Sequence, residues 1–291
     1  MQKRLFFLMA MMVMFTSSLM AQITTSGISG KVTADGENVI GATIEAVHTP
    51  SGTRYMAVTN SSGMFAINGM RVGGPYEVTI SYIGYETKVI KDVRLQLAET
   101  YNLNTSLSED AQQLGEVVVA AKATKFTTEK TGASTNIDNQ QIVNMPTISR
   151  SITDVTRLSP YGGSGMSFAG VDGRTANFTV DGANFNNNFG LSSNLPGGGN
   201  PISIDAIEEL QVVVAPFDVR QTNFIGGGVN AITKSGTNTF KGTAYVYHRN
   251  ENMGGDAVDR VQIPGARDKS SQTTYGFTFG GPIIKDKLFF F

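Results

Sequence analysis

No cysteine occurs among the 291 residues, so a disulfide framework and a thiolate metal site are both excluded. Tryptophan is also absent, and the only histidines are His48 and His248, far apart in sequence. A zinc hydrolase or a Ser-His-Asp enzyme has little inventory to draw on here. We therefore expect no catalytic residue, no metal and no cofactor. Charge is scarce as well. Charged residues make up 16% of the chain, against roughly 25% in ordinary soluble domains. The formal net charge is −1, which leaves no electrostatic footprint for nucleic acid.

What is abundant points to strands and turns. The chain holds 33 Gly, 17 Phe and 9 Tyr. That mixture suits short strands with frequent turns better than long helices. The length leaves room for roughly two domains.

Residues 1–21 read as a secretory signal. Lys3 and Arg4 give the positive start, Leu5–Phe15 the apolar centre, and Ser17, Ser18 and Ala21 the small-residue end. The apolar run is short for a membrane-spanning helix of roughly 20 residues. Cleavage is expected after Ala21. Loss of Lys3 and Arg4 then takes the net charge from −1 to −3. With no cysteine to follow it, the mature end is not a lipoprotein anchor.

Residues 22–107 read as an all-β domain. Short runs recur at Ile28–Val32, Ala42–Thr49, Tyr55–Thr59, Met64–Asn68, Tyr76–Tyr82, Thr87–Val93 and Tyr101–Leu107. Turn chemistry such as Asp35-Gly36 and Gly73-Gly74-Pro75 separates them. Tyr76, Val78, Ile80 and Tyr82 alternate with Glu77, Thr79 and Ser81, the period of a strand with one buried face. About seven such strands predict a sandwich. Residues 108–134 turn polar and read as a linker. An apolar island, Glu116, Val117, Val118, Val119 and Ala120, interrupts it. A β-branched run without a core of its own can add as a strand to another protein's sheet edge. Equally, it can close a neighbouring domain.

Residues 135–236 read as a compact mixed domain. A helix is predicted over Ser149–Leu158, capped by Thr147 or Ser149. Strands are predicted at Met166–Val171 and Asn177–Val180, bounded by Asp172-Gly173 and Asp181-Gly182. Those aspartates fit turns rather than calcium, since no Asp-x-Asn-x-Asn spacing surrounds them. Asn184–Asn200 is an amide-rich loop. Phe185, Asn186, Asn187, Asn188 and Phe189 offer faces to stack on and donors and acceptors to a polar ligand. Ser203 is expected to cap a helix running through Leu210, with Asp205, Glu208 and Glu209 near its start. A buried strand, Gln211–Val214, should follow.

Residues 237–291 change once more. Thr239–Asn250 and Ser271–Gly281 have about the length of tilted membrane strands, roughly 9–11 residues. Tyr245 and Tyr247 share one face, and Tyr275, Phe277 and Phe279 another. A polar loop, Glu251–Ser270, joins the two. A tight Pro282–Lys287 turn leads into a third strand.

Three stretches carry a family resemblance. Val180-Asp181-Gly182, the run Ile207-Glu208-Glu209-Leu210-Gln211-Val212-Val213, and the exit from Gly227 to Phe240 resemble the plug of TonB-dependent outer-membrane receptors of the Bacteroidetes, Oar-like and SusC-like kind. Gly170-Val171 stands where that family often has an Arg-Gly pair, a departure in the early plug. Residues 22–107 resemble the carboxypeptidase-regulatory-like domain, a transthyretin-type member of the carbohydrate-binding-like folds. We read it as a spacer rather than a sugar-binding module. Glu116–Ala120 resembles the TonB box. The resemblance implies a mainly β chain: a transthyretin- or Ig-like sandwich, an α+β plug, then the first strands of a transmembrane β-barrel. It also implies uptake of a nutrient across the outer membrane. TonB and membrane lipid are the implied partners, with an extracellular substrate and a surface lipoprotein. The sandwich and linker would be periplasmic. The implied barrel has on the order of 22 strands, so the chain is expected to be the N-terminal part of a longer protein. The alternative is a cell-surface or periplasmic adhesion protein built of β domains.

Overall fold

The computed structural model describes residues 23–109, 117–120, 132–147, 150–186, 195, 201–216, 221, 224–255, 257–258, 261–262 and 268–291. The signal segment, Glu116, Asn187, Asn188 and Phe189 lie outside them. The chain is mainly β and divides into two compact units, 1–234 and 235–291.

The first unit opens with β1 (Ser26–Ala34), β2 (Glu37–Asn38), β3 (Thr43–His48), β4 (Thr53–Val58), β5 (Met64–Met70), β6 (Gly73–Ser81), β7 (Lys88–Leu95), β8 (Thr100–Asn102) and β9 (Thr105–Leu107). β1 pairs antiparallel with β2 and β5 and parallel with β8 and β9. The second sheet contains β7, β6, β3 and β4 in that order. Alternate residues of β6 turn inward: Tyr76, Val78 and Ile80 are fully buried. They meet Ile28, Val32, Phe65 and Ile67 of the first sheet in one apolar core. The expected strand Tyr101–Leu107 divides into β8 and β9. Between them Leu103 donates its N–H to Ser29 O at 2.7 Å. The close approach also requires Gly30, where a Cβ would lie 2.0 Å from Leu103 O.

A further strand, β10 (Val117–Ala120), lies on the free edge of β7. The following domain contains β11 (Ala133–Asp138), β12 (Asn177–Val180), β13 (Ala183–Asn184), β14 (Ile207–Ala215) and β15 (Gly228–Thr233). Its sheet runs β11-β14-β15-β12-β13. Short helices at Asn139–Asn144 and Ile152–Thr156 start on capping boxes at Asp138 and Ser151. Phe178, Leu210, Val212, Val229 and Ala231 build the core, with Ile152, Val155 and Phe168 packed in.

Three local expectations are corrected. The second helix is shorter than Ser149–Leu158, and its cap is Ser151. Met166–Val171 forms isolated bridges at Phe168 rather than a strand, and Asp172 caps a single 3-10 turn. The helix expected from Ser203 to Leu210 is one 3-10 turn, Ile204–Ala206, and β14 begins at Ile207. There β11 and β15 flank the backbone on both sides. Two ladders of hydrogen bonds outweigh the helical preference of a short acidic run.

The second unit consists of β16 (Lys241–Asn250), β17 (Ala257–Val258), β18 (Val261–Gln262), β19 (Ser271–Ile284) and β20 (Leu288–Phe290). β16 and β19 pair antiparallel over ten register positions, and β20 adds to β19. β19 extends through Ile284, so the turn is tighter than Pro282–Lys287.

Candidate functional site

Three features of the structure bear on function: the seat of β10, the joint between sandwich and second domain, and the two faces of the β16–β19 hairpin. β10 pairs parallel with β7, placing Val117 opposite Lys88, Val118 opposite Val89, Val119 opposite Ile90 and Ala120 opposite Lys91. The apolar island is therefore a strand closing the sandwich sheet. It remains an edge strand, with one side of its backbone outside that sheet.

The joint centres on Leu97, in the turn after β7. Its side chain is fully buried against Val72 and Ile232. Both of its backbone groups are held by the neighbouring domain. The Leu97 N–H donates to Glu209 Oε1 at 2.9 Å. Leu97 O accepts from Gln211 Nε2 at 2.8 Å and from Asn136 Nδ2 at 3.1 Å. Gln211 Nε2 also reaches Asn136 Oδ1 at 3.0 Å, across the β11–β14 ladder. Burial pushes the Glu209 carboxyl up to about 8. The Leu97 N–H opposes the rise, while the charges of Glu99, Asp138 and Glu208 add to it. Close packing extends to Gly73, where a Cβ would stand 2.8 Å from Glu208 Oε1.

Sequence reasoning missed this joint. It placed Glu208 and Glu209 near a helix start. The available signal was the period of two between Glu209 and Gln211 inside an otherwise apolar strand. Those side chains share one face, and that face is buried beneath the sandwich.

The loop expectation divides. Phe185 packs half-buried against the core of the domain, and its N–H donates to Phe178 O at 2.9 Å. Asn186 Oδ1 accepts the Phe178 N–H. These two residues therefore anchor the loop. Beneath it, Asp181 and Gly182 take positive φ angles of 48° and 82° and join β12 to β13. The Asp181 carboxylate accepts from Thr233 N at 2.9 Å and Thr233 Oγ1 at 2.7 Å. That pair ties the tight turn to the last residue of β15.

The hairpin has two chemically distinct faces. Register places Val246 opposite Tyr275 and Ala244 opposite Phe277. Val246, Tyr275 and Phe277 are 74%, 77% and 81% exposed, a contiguous apolar surface. Tyr245, Tyr247, Thr243 and Arg249 occupy the other face. There Thr243 and Thr278 share a hydroxyl bond of 2.6 Å, and Arg249 donates to Gln272 at 3.3 Å. Gly276 accommodates the Tyr245 ring, where any Cβ would lie 2.6 Å from the hydroxyl.

Catalytic chemistry finds little here. His48 Nδ1 lies 2.6 Å from Ser51 Oγ, but both residues are buried and the ring packs on Tyr76. Burial lowers the imidazole to about 4, with a smaller push from Arg71. Among the described residues, no group of three His, Cys, Asp or Glu is arranged to hold a metal. No helix among them is long and apolar enough to cross a membrane, which leaves strand crossings open.

Comparison with known proteins agrees with this layout. Residues 27–108 match the carboxypeptidase regulatory-like domain, and residues 232–291 match the outer membrane beta barrel domain. The chain is similar to the TonB-dependent transporter Oar of Myxococcus xanthus, at 24% identity over 251 residues. That alignment covers 80% of this chain but 23% of the relative. Solved structures with partial likeness include hydroxyquinol 1,2-dioxygenase from Pseudomonas putida (10% identity, TM-score 0.26, 31% of this chain and 58% of that one). The minor pilin GBS52 of Streptococcus agalactiae is another (16% identity, TM-score 0.25, 30% and 45%). Likenesses at that level carry no argument about function. The matched domains and the relative together support an outer-membrane protein of the TonB-dependent type with a transporter-like role.

Proposed function

We propose that this chain is the N-terminal part of a TonB-dependent transporter that takes up a nutrient across the outer membrane. Its parts would be a signal peptide over 1–21, the sandwich over 22–107, a linker over 108–134, a plug over 135–236 and the start of the barrel over 237–291. The observation that carries the reading is the two-faced hairpin directly following a compact α+β domain. Val246, Tyr275 and Phe277 suit lipid, and the threonine, tyrosine and arginine face suits a wet lumen. An outward apolar patch of this kind is costly in water and favourable in a bilayer.

In this reading the plug occludes the barrel, and its loop, including Phe185, Asn187, Asn188 and Phe189, meets the substrate on the outer side. Segment 116–120 is the strand that TonB takes by main-chain pairing, with the sandwich and linker on the periplasmic side. No bond of the cargo is made or broken; mechanical work remodels the plug.

The test is cell fractionation of the full-length protein, with capture on the periplasmic domain of TonB. We expect the protein in the outer membrane and capture that Val118→Pro abolishes, because proline removes a ladder donor. Normal uptake by the Val118→Pro protein would sink the partner assignment.

A further inference from the structure

We infer that the β7 edge of the sandwich is the resting seat of segment 117–120, so a partner that takes this segment by strand addition must first displace it. The inference builds on the partner reading above, and adds a regulatory contact within the chain itself.

Three observations carry it. The first is the ladder: four consecutive residues of β10 pair in parallel register with Lys88–Lys91. Parallel strands do not arise from a local hairpin. They need a crossover, which β8 and β9 in the opposite sheet supply. The second is the approach of the chain. Glu86 donates its N–H to Ser108 O at 3.0 Å, and Tyr85 bridges Glu109. The chain is thus pinned beside the start of β7 just before the segment. A short tether from that point keeps the segment at high local concentration over its own seat. The third is Val89. Its register partner Thr79 places it on the sheet face away from the core, yet it is only 4% exposed. That is the burial of a strand interior, not of an open edge.

The pairing serves both sides. Without β10, β7 would present a row of free backbone donors and acceptors, a template for unwanted strand addition. Without β7, an apolar run such as Val117-Val118-Val119 would carry the same hazard. A segment held this way is available to a partner only in its undocked fraction, and the apparent affinity falls by that fraction.

The test exploits the absence of native cysteine. Lys88→Cys with Val117→Cys joins directly opposed positions, whose spacing suits a disulfide. Arg54→Cys with Val117→Cys, on the strand at the far edge of the sheet, is the control. The chain is oxidised in membranes of the producing cells, with and without the purified periplasmic domain of TonB. We expect the first pair to cross-link and the control pair not to. Saturating TonB domain added beforehand should lower the cross-linked fraction by about tenfold or more. Equal cross-linking of both pairs, or none, overturns the seat. Unchanged cross-linking with the TonB domain demonstrably bound overturns the displacement. If the reduced chain never captures the TonB domain but the first pair still cross-links, the seat stands and the partner assignment falls.

Discussion

The carboxyl of Glu209 accepts the backbone N–H of Leu97 at 2.9 Å, joining residues 112 positions apart in the chain. It is a buried acid inside a domain joint, and its environment holds the proton to about pH 8.

That proton makes the joint pH-dependent. The folded carboxyl titrates near 8 and the unfolded one near 4.5. Between those values the folded state binds more protons, so stability falls as pH rises. The contribution is full below about 4.5 and lost above about 8. His48 acts in the opposite sense at lower pH: its lowered value costs stability as pH falls from 6.5 toward 4. The Glu209 effect is therefore cleanest between 6.5 and 8. Thermal unfolding of the N-terminal unit should show a midpoint that declines across this window. Glu209→Gln should flatten the decline, since an amide carries no proton to lose. A variant that keeps the slope would rule out Glu209 as its source.

Leu97 is the peg of the joint. Leu97→Ala should cost about 2–5 kcal/mol, because the site is fully buried and hemmed in by Val72 and Ile232. The loss should fall on the joint rather than on either core. Limited proteolysis checks this: cutting between sandwich and plug should speed up while each part stays intact. Uniform melting of both would argue against a localised peg.

Asp181 holds a left-handed turn and two bonds to Thr233 at once. Asp181→Ala removes the bonds and strains the backbone, an expected loss of about 1–3 kcal/mol. Asp181→Asn keeps a residue that tolerates the left-handed region and should lose less. Denaturant unfolding of the two variants side by side decides the order.

The hairpin faces predict opposite responses to one charge. Phe277→Lys places an ammonium on the apolar face, at a cost of about 2–4 kcal/mol if that face meets the bilayer midplane. Thr274→Lys places it on the face shared with Tyr247, where it should be tolerated. Yield of the full-length protein in the outer membrane reads the difference. Equal yields would refute a lipid-facing assignment.

Some of this was legible in the residues and some was not. Asp35-Gly36 and Asp181-Gly182 announced their turns because two successive positive φ angles admit few residue pairs. The inward face of β6 followed from strict alternation of apolar and polar residues. The stretch from Ser203 to Leu210 misled, because a cap followed by acids looks like a helix start whatever lies beside it. Glu209 and Gln211 looked solvent-facing for a related reason. Their partner is the backbone of Leu97, more than a hundred residues earlier, and backbone groups leave no mark on a side-chain pattern.

β11 is the outermost strand of its sheet, reached directly from the segment that contains Val117–Ala120. Traction applied at Ala120 would arrive first at Ala133, the leading residue of β11, and would find a strip that detaches without disturbing the ladders between β14, β15 and β12. The strip also carries Asn136, so its departure would take one of the fasteners from Leu97 O. Unspooling its six residues would lengthen the leash by about 20 Å. Such a part gives way early by design of its position, while the remainder of the sheet keeps its shape.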